Sequence, residues 1–360
     1  MGLPRKEQGS NPLWEIEIKR CKYKEHCMRM MRLLAFFLLN TLVLNIGAFP
    51  LLAKAPTTPK ILFTSAPADN YDIYIMNPDG SEQTNLTQHP SEDRFAVWSP
   101  RGEQILFVSD RGGERDLYLM NADGSHVRRV FKDELKGNTY RDRPTWSPDG
   151  RQFAYMHINW DKDIYAIYIA TLGEQAEDFI TDGLFPAWSP GGREIVCSVW
   201  GRVVFINVRT GAQERLLPKK VAGQQIEAAW SAVGDKLVFS WNKNQLPPDR
   251  EPGAPFPPGW EDKQTIYIVN RDGTDLRQLV DEDGSKAWSP ELSPNGDELL
   301  YTQFINGQNQ IFKVDLNSGV RTQLTNLWSM GGDWFDPAYA LPVSPQPQLL
   351  TTIWAKVKKK

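Results

Sequence analysis

Cysteine is nearly missing from this 360-residue chain: it has three, and two of them, Cys21 and Cys27, fall within the first 27 positions. Only Cys197 lies beyond, so no disulfide can staple that part internally. Its setting, Ile195-Val196-Cys197-Ser198, reads as a buried strand with a small core thiol. Histidine is equally scarce. His89, His126 and His157 are the only ones past residue 27, they sit in three different contexts, and none has metal-ligand spacing. A Ser-His-Asp constellation has little to draw on. The nearest approach to a nucleophile elbow, Leu327-Trp328-Ser329-Met330-Gly331, lacks the first glycine and follows no βα pattern. No cofactor, no metal and no catalytic residue are therefore expected. Paired acids at Asp161 with Asp163, and at Asp281 with Asp283, have the chemistry to hold Ca²⁺ with loop carbonyls, but solvated loop carboxylates are the simpler reading.

Positive charge is thin over most of the chain. Residues 1–55 hold nine Lys/Arg against four Asp/Glu, whereas the remainder holds 32 against 40. A domain of that balance is poorly suited to phosphate backbones, which excludes nucleic acid as an expected partner. Long apolar runs are also wanting, with one exception. Leu33 to Leu44, broken only by Asn40 and Thr41, follows Arg29 and Arg32 and precedes Ala48, Ala53 and Ala55. That order is a secretory signal, with cleavage expected after Ala53 or Ala55 and translation beginning at Met28, Met30 or Met31. An uncleaved anchor is the alternative, because the run can extend to Leu52. With cleavage, no stable membrane span remains, and the mature chain is expected to be periplasmic or secreted.

What the chain has in abundance is a repeat. Trp98-Ser99-Pro100, Trp146-Ser147-Pro148, Trp188-Ser189-Pro190 and Trp230-Ser231-Ala232 recur, with a degraded fifth copy at Leu292-Ser293-Pro294. Each is followed by a turn closing on glycine: Gly102, Gly150, Gly192, Gly234 and Gly296. The marks are 48, 42, 42 and 62 residues apart, the spacing of four-stranded propeller blades. Within the second repeat the reading is Arg94–Trp98 as a first strand, then Ile105–Val108, Leu117–Met120 and Val127–Phe131, with an Asp123-Gly124 hairpin before the last. Trp288-Ser289-Pro290 imitates a mark, but alignment of Pro290–Gly296 on Pro144–Gly150 gives the Trp place to Leu292. The first set opens at Ile61 without a first strand, and the last is followed by an unpartnered Trp334-Phe335-Asp336-Pro337. The C-terminal strand is thus expected to complete the N-terminal blade, leaving no free edge. The predicted fold is all-β: a six-bladed β-propeller over 56–340, after an N-terminal extension and signal at 1–55 and before a Pro-containing linker and basic tail at 341–360.

Ile73-Tyr74-Ile75-Met76-Asn77-Pro78-Asp79-Gly80, Asn85-Leu86-Thr87 and the Trp-Ser-Pro marks resemble the TolB-type propeller repeats of bacterial periplasmic proteins. The resemblance covers about residues 60–340. It implies the fold; for function it implies little, because such repeats serve binding scaffolds, polysaccharide lyases and the propellers of prolyl-oligopeptidase-like peptidases alike. TolB itself carries an α/β domain before its propeller; here the propeller is expected to start within a few residues of the cleavage site, a departure from that pattern. No catalytic residue carries over from the family.

Strand order sorts the connections onto two faces. Tight turns join the first to the second strand and the third to the fourth. The longer loops, including the Pro-rich Trp241–Gln264, share the opposite face, where binding is usual. Arg94, Tyr140, Arg141, Arg143, Glu227, Lys286, Trp288, Asp333 and Trp334 are expected to ring the channel mouth there, with Trp260 in the long loop. The expected function is that of a non-catalytic, monomeric scaffold binding an envelope protein, peptide or glycan. The alternative is a carbohydrate-active lyase or hydrolase using channel-mouth acids. The repeated Trp98, Trp146, Trp188 and Trp230 read as packing residues.

Overall fold

The computed structural model describes residues 54–341, apart from 68, 234, 248–255 and 282–284. The signal-like segment and the basic tail lie outside the described residues. Six four-stranded antiparallel sheets follow one another along the chain. Blade 2 consists of Asp93–Trp98, Gln104–Ser109, Asp116–Asn121 and Arg128–Arg129. Its outermost strand is shorter than the Val127–Phe131 expected. A last strand has no partner on its far side, and a short edge also offers little to a neighbouring chain. Blades 3 to 6 start at Thr139, Leu184, Gln224 and Ala287.

Blade 1 closes the ring. Its sheet runs Ser329–Phe335, Lys60–Ser65, Asp72–Met76, Thr84–Asn85, so its innermost strand comes from the far end of the chain. Ile61 lies opposite Trp334, and Ser65 opposite Ser329.

The core is divided as the architecture requires, into six clusters that each combine two neighbouring blades. Leu62, Trp98 and Phe107 join blades 1 and 2. Phe63, Leu300 and Trp334 join blades 6 and 1. The side chains of one strand alternate between interfaces: Leu62 packs toward blade 2, while Ile61 and Phe63 pack toward blade 6. Both faces of each second strand are therefore covered, which is why Ile105-Leu106-Phe107-Val108 is apolar without alternation. Cys197 is one of these buried residues, and burial pushes its thiol up to about 12.

The Trp-Ser-Pro mark has a mechanical explanation. The Ser99 N–H donates to the Gln104 carbonyl (2.8 Å), and Ser99 Oγ accepts from the Gln104 N–H (3.0 Å). Ser147, Ser189 and Ser293 repeat the pair of bonds with Gln152, Glu194 and Glu298. The serine thus clamps the turn from both sides. Gly102 follows at φ +69°, where a Cβ would also run into the Phe335 ring of the closing strand. Leu292 occupies the Trp place, with Ser293 making the clamp, as the alignment required.

Candidate functional site

The six innermost strands surround the channel, and each contains the same irregularity. The ladder slips at one point in every inner strand. At each slip one residue, three before the Trp position, has left-handed backbone: Phe95 (φ 54°), Arg143 (49°), Phe185 (55°), Glu227 (53°), Ser289 (49°) and Gly331 (67°). Five of the six are not glycine. Such a conformation costs an L residue of order 1 kcal/mol or more. The bulge re-aims the strand, and bonds from the neighbouring blade meet several of the amides it frees. Phe95 N–H donates to Thr64 Oγ1 (3.2 Å), and Gly331 N–H to Thr302 Oγ1 (2.9 Å).

Five of these residues form a belt across the channel. The Arg143 guanidinium lies 3.8 Å from the centre of the Phe95 ring and 5.0 Å from that of Phe185. It pairs with Glu227 at 3.5 Å, spanning from blade 3 to blade 5. Glu227 accepts from the Ser289 N–H (2.9 Å) and Oγ (3.3 Å). A planar guanidinium suits this position because it stacks on rings and still reaches a carboxylate.

On one side of the belt is a cavity of about 580 Å³. Its lining runs from the belt to the tight turns and to Asp336–Leu341, and includes no residue of the longer loops. Two carboxyls stand in its wall, Glu291 of blade 6 and Asp333 of the closing strand, each just before the Trp position. Both lie deep in the molecule, yet the cavity leaves them partly accessible. Asp333 Oδ2 accepts from the Trp98 N–H at 2.5 Å. Burial pushes the Asp333 carboxyl up to about 7 even though the Trp98 and Trp334 N–H groups favour its charge. Burial first, then the neighbouring Asp333 charge, hold Glu291 well above the usual carboxylate range. An acid held above its unfolded value stabilises the fold at low pH and withdraws that contribution as pH rises through about 7. The Asp333→Asn variant is therefore expected to gain stability on the parent between pH 5 and pH 8. Thermal unfolding across that window checks this, and a pH-independent difference would contradict it.

Of the residues expected at the channel mouth, Arg143, Glu227, Asp333 and Trp334 line the cavity. Arg94, Tyr140, Arg141, Lys286 and Trp288 do not. Arg94 pairs with Glu92 (2.7 Å) and stacks on Tyr71. Tyr140 packs beside the cluster between blades 3 and 4. Arg141 is 1 % exposed, bonded to Asp116, Asp133 and Glu177. Lys286 pairs with Glu261 (3.5 Å) and lies over Trp288. Trp260 is buried, donating from its indole to the Asn244 carbonyl (3.2 Å) and stacking on Phe256. All five departures sit ahead of the bulge, where side chains still follow the plain strand alternation. Phe95, Phe185 and Glu291 were missed. Their position relative to each Trp mark was a usable signal, once the repeat was aligned.

The longer-loop face carries a different surface. Trp200 is 93 % exposed, displayed on a two-residue turn with Gly201 at φ 50° and 68°. Trp160 (57 %) projects from the corresponding loop of blade 3, and Phe304 (43 %) from the loop-side end of the second strand of blade 6. Among the described residues no group of three or more His, Cys, Asp or Glu could hold a metal ion, and no helix is long and apolar enough to cross a membrane.

Residues 46–233, just over half of the chain, match the TolB beta propeller domain family. A 177-residue stretch, 44% of the chain, is 34% identical to an uncharacterized protein of Agrobacterium fabrum. The match spans about half (53%) of that relative's length. TolB from Acinetobacter baumannii superposes with a TM-score of 0.61 at 17% identity, over 76% of this chain and 66% of that one. A structure assigned as TolB from Agrobacterium tumefaciens gives 0.55 at 17% identity, over 77% and 92%. Likeness at such identity speaks for the fold.

Proposed function

This chain belongs to the TolB beta propeller family, and from that premise we propose that it is an exported, non-catalytic scaffold that binds an envelope protein, peptide or glycan through its longer-loop face. The observation that carries the reading is Trp200, a nearly fully exposed tryptophan held in left-handed backbone. Large exposed aromatics anchor interfaces, and the two-residue hairpin, whose turn requires left-handed backbone, holds the indole out at its tip. Trp160 and Phe304 extend the aromatic surface. Export rests on the charged, apolar, small-residue order around Leu33–Leu44; N-terminal sequencing of the protein from the envelope fraction tests it.

The binding test uses the purified chain as bait against envelope extract and a glycan array, alongside Trp200→Ala. The variant is expected to unfold within about 0.5 kcal/mol of the parent, because the side chain packs on nothing. Retention of the partner is expected to fall roughly tenfold or more. Unchanged retention would remove the loop face from the reading.

One observation favours a second reading, a lyase or hydrolase acting on a glycan. Asp333, holding a proton near neutrality beside Glu291, has the protonation a general acid needs. That reading expects turnover of a polysaccharide and its loss in Asp333→Asn.

A further inference from the structure

The channel cavity and the loop face are separate features, and the cavity carries an inference that does not depend on the loop face. Five charged residues line it: Arg143, Glu227, Glu291, Asp333 and Asp336. The single cation, Arg143, is already committed to Glu227 and to the two phenylalanine rings. Three carboxyls are left without a cation. No described residue forms an ion pair with Glu291 or donates a hydrogen bond to it, although it lies deep in the molecule and faces the cavity. Asp333 receives only backbone N–H groups. A buried carboxyl is ordinarily paired or neutralised; burial holds these two toward the neutral form, and a cation placed against them would return them to the charged form.

We propose that the cavity is a binding site for an organic cation, the ammonium or guanidinium end of a slender chain, which pairs with Glu291 and Asp333. The rest of the lining fits such a ligand. Between the carboxyls and the outside stand Pro100, Pro148, Pro190 and Tyr339, apolar surfaces against which a methylene stem can lie. A volume of about 580 Å³ is within the usual range for small-ligand pockets. A hard metal ion fits less well. Calcium takes about six to eight oxygen ligands, and the described residues gather no third metal-ligating side chain here.

Two sources can supply this chemistry. One is a separate molecule, a lysine- or arginine-bearing peptide or a polyamine. The other is the chain itself. Leu341 lines the cavity and its N–H bonds the Pro100 carbonyl (3.1 Å), and the sequence beyond it ends with Lys356, Lys358, Lys359 and Lys360.

Isothermal titration of the purified full chain, and of a version with those four lysines changed to glutamine, distinguishes them. The probes are Nα-acetyl-lysine amide, spermidine, calcium and, as the uncharged control, lysine amide acetylated on both nitrogens. The lysine-neutralised chain is expected to bind the charged lysine probe at least tenfold more tightly than the control. Glu291→Gln and Asp333→Asn in that background are each expected to remove most of this preference. Tighter binding to the neutralised chain than to the full chain assigns the site to the chain's own lysines. Equal binding assigns it to a separate ligand, and spermidine outcompeting the lysine probe makes that ligand a polyamine. The proposal is overturned if charged and uncharged probes bind alike, if no organic cation binds at millimolar concentration, or if only calcium binds. The probe comparison does not depend on either carboxyl variant folding. Because Trp200→Ala leaves the cavity intact, loss of cation binding and loss of partner retention report on different sites.

Discussion

Replacing Arg141 by alanine is expected to lower the unfolding free energy by about 3–5 kcal/mol, among the largest effects of any single charged residue here. Its side chain is 1 % exposed and lies 4.0 Å over the Phe131 ring. Its Nε and Nη2 donate to the two oxygens of Glu177, both at 2.8 Å, and Nη2 also reaches Asp133 at 2.9 Å. Nη1 meets Asp116, which is fully buried, at 3.3 Å. Arg141 and Glu177 belong to blade 3 and Asp116 to blade 2, so the network ties two blades together. Removal leaves Asp116 with Arg129 as its one cation and strips Glu177 of its fork-to-fork partner. Lysine is not expected to rescue the loss, since it offers no planar fork. Arg271 provides the contrast. It joins blade 5 to Glu194 (2.8 Å) and Glu214 (2.7 Å) of blade 4, but in partial contact with solvent. Its removal is expected to cost about 1 kcal/mol. Urea unfolding of both variants measures the difference, and equal losses would refute an account based on burial.

Loss of the closing strand is expected to be larger still. A chain ending before Ser329 should show no native cooperative transition at the parent's temperature. Lys60–Ser65 would become a bare edge, since Ser329–Phe335 is its inner partner. Trp334 and Phe335 would leave two different interblade clusters at once. The point substitution Trp334→Ala keeps the strand and is expected to cost about 3–5 kcal/mol, the usual loss for a buried aromatic. Circular dichroism melting and limited proteolysis test both. A truncated chain that melted like the parent would mean that blade 1 holds without its last-arriving strand.

These expectations rest on elements of unequal legibility. The blade repeat could be read directly. Each Trp-Ser-Pro mark does the same local work in every blade, and the serine clamp needs only its own turn. The ring closure was also readable, because a first blade without an inner strand and a last strand without a blade can satisfy each other. The channel was harder. Arg141 and Arg143 are two residues apart on one strand, yet Arg141 is locked between blades while Arg143 faces the channel belt. The left-handed residue at 143 separates their fates, and no propensity marks arginine for such a backbone.

The sequence by itself determined the number of blades, their strand order and their closure, since those follow from local turn chemistry and from which strands lack partners. Only the tertiary structure decided that the belt residues meet across the channel, and that Glu291 and Asp333 share one wall. The reason is geometric. Arg143 and Glu227 are 84 positions apart with a whole blade between them, and nothing short of curving the sheets into a ring brings their charges within 3.5 Å.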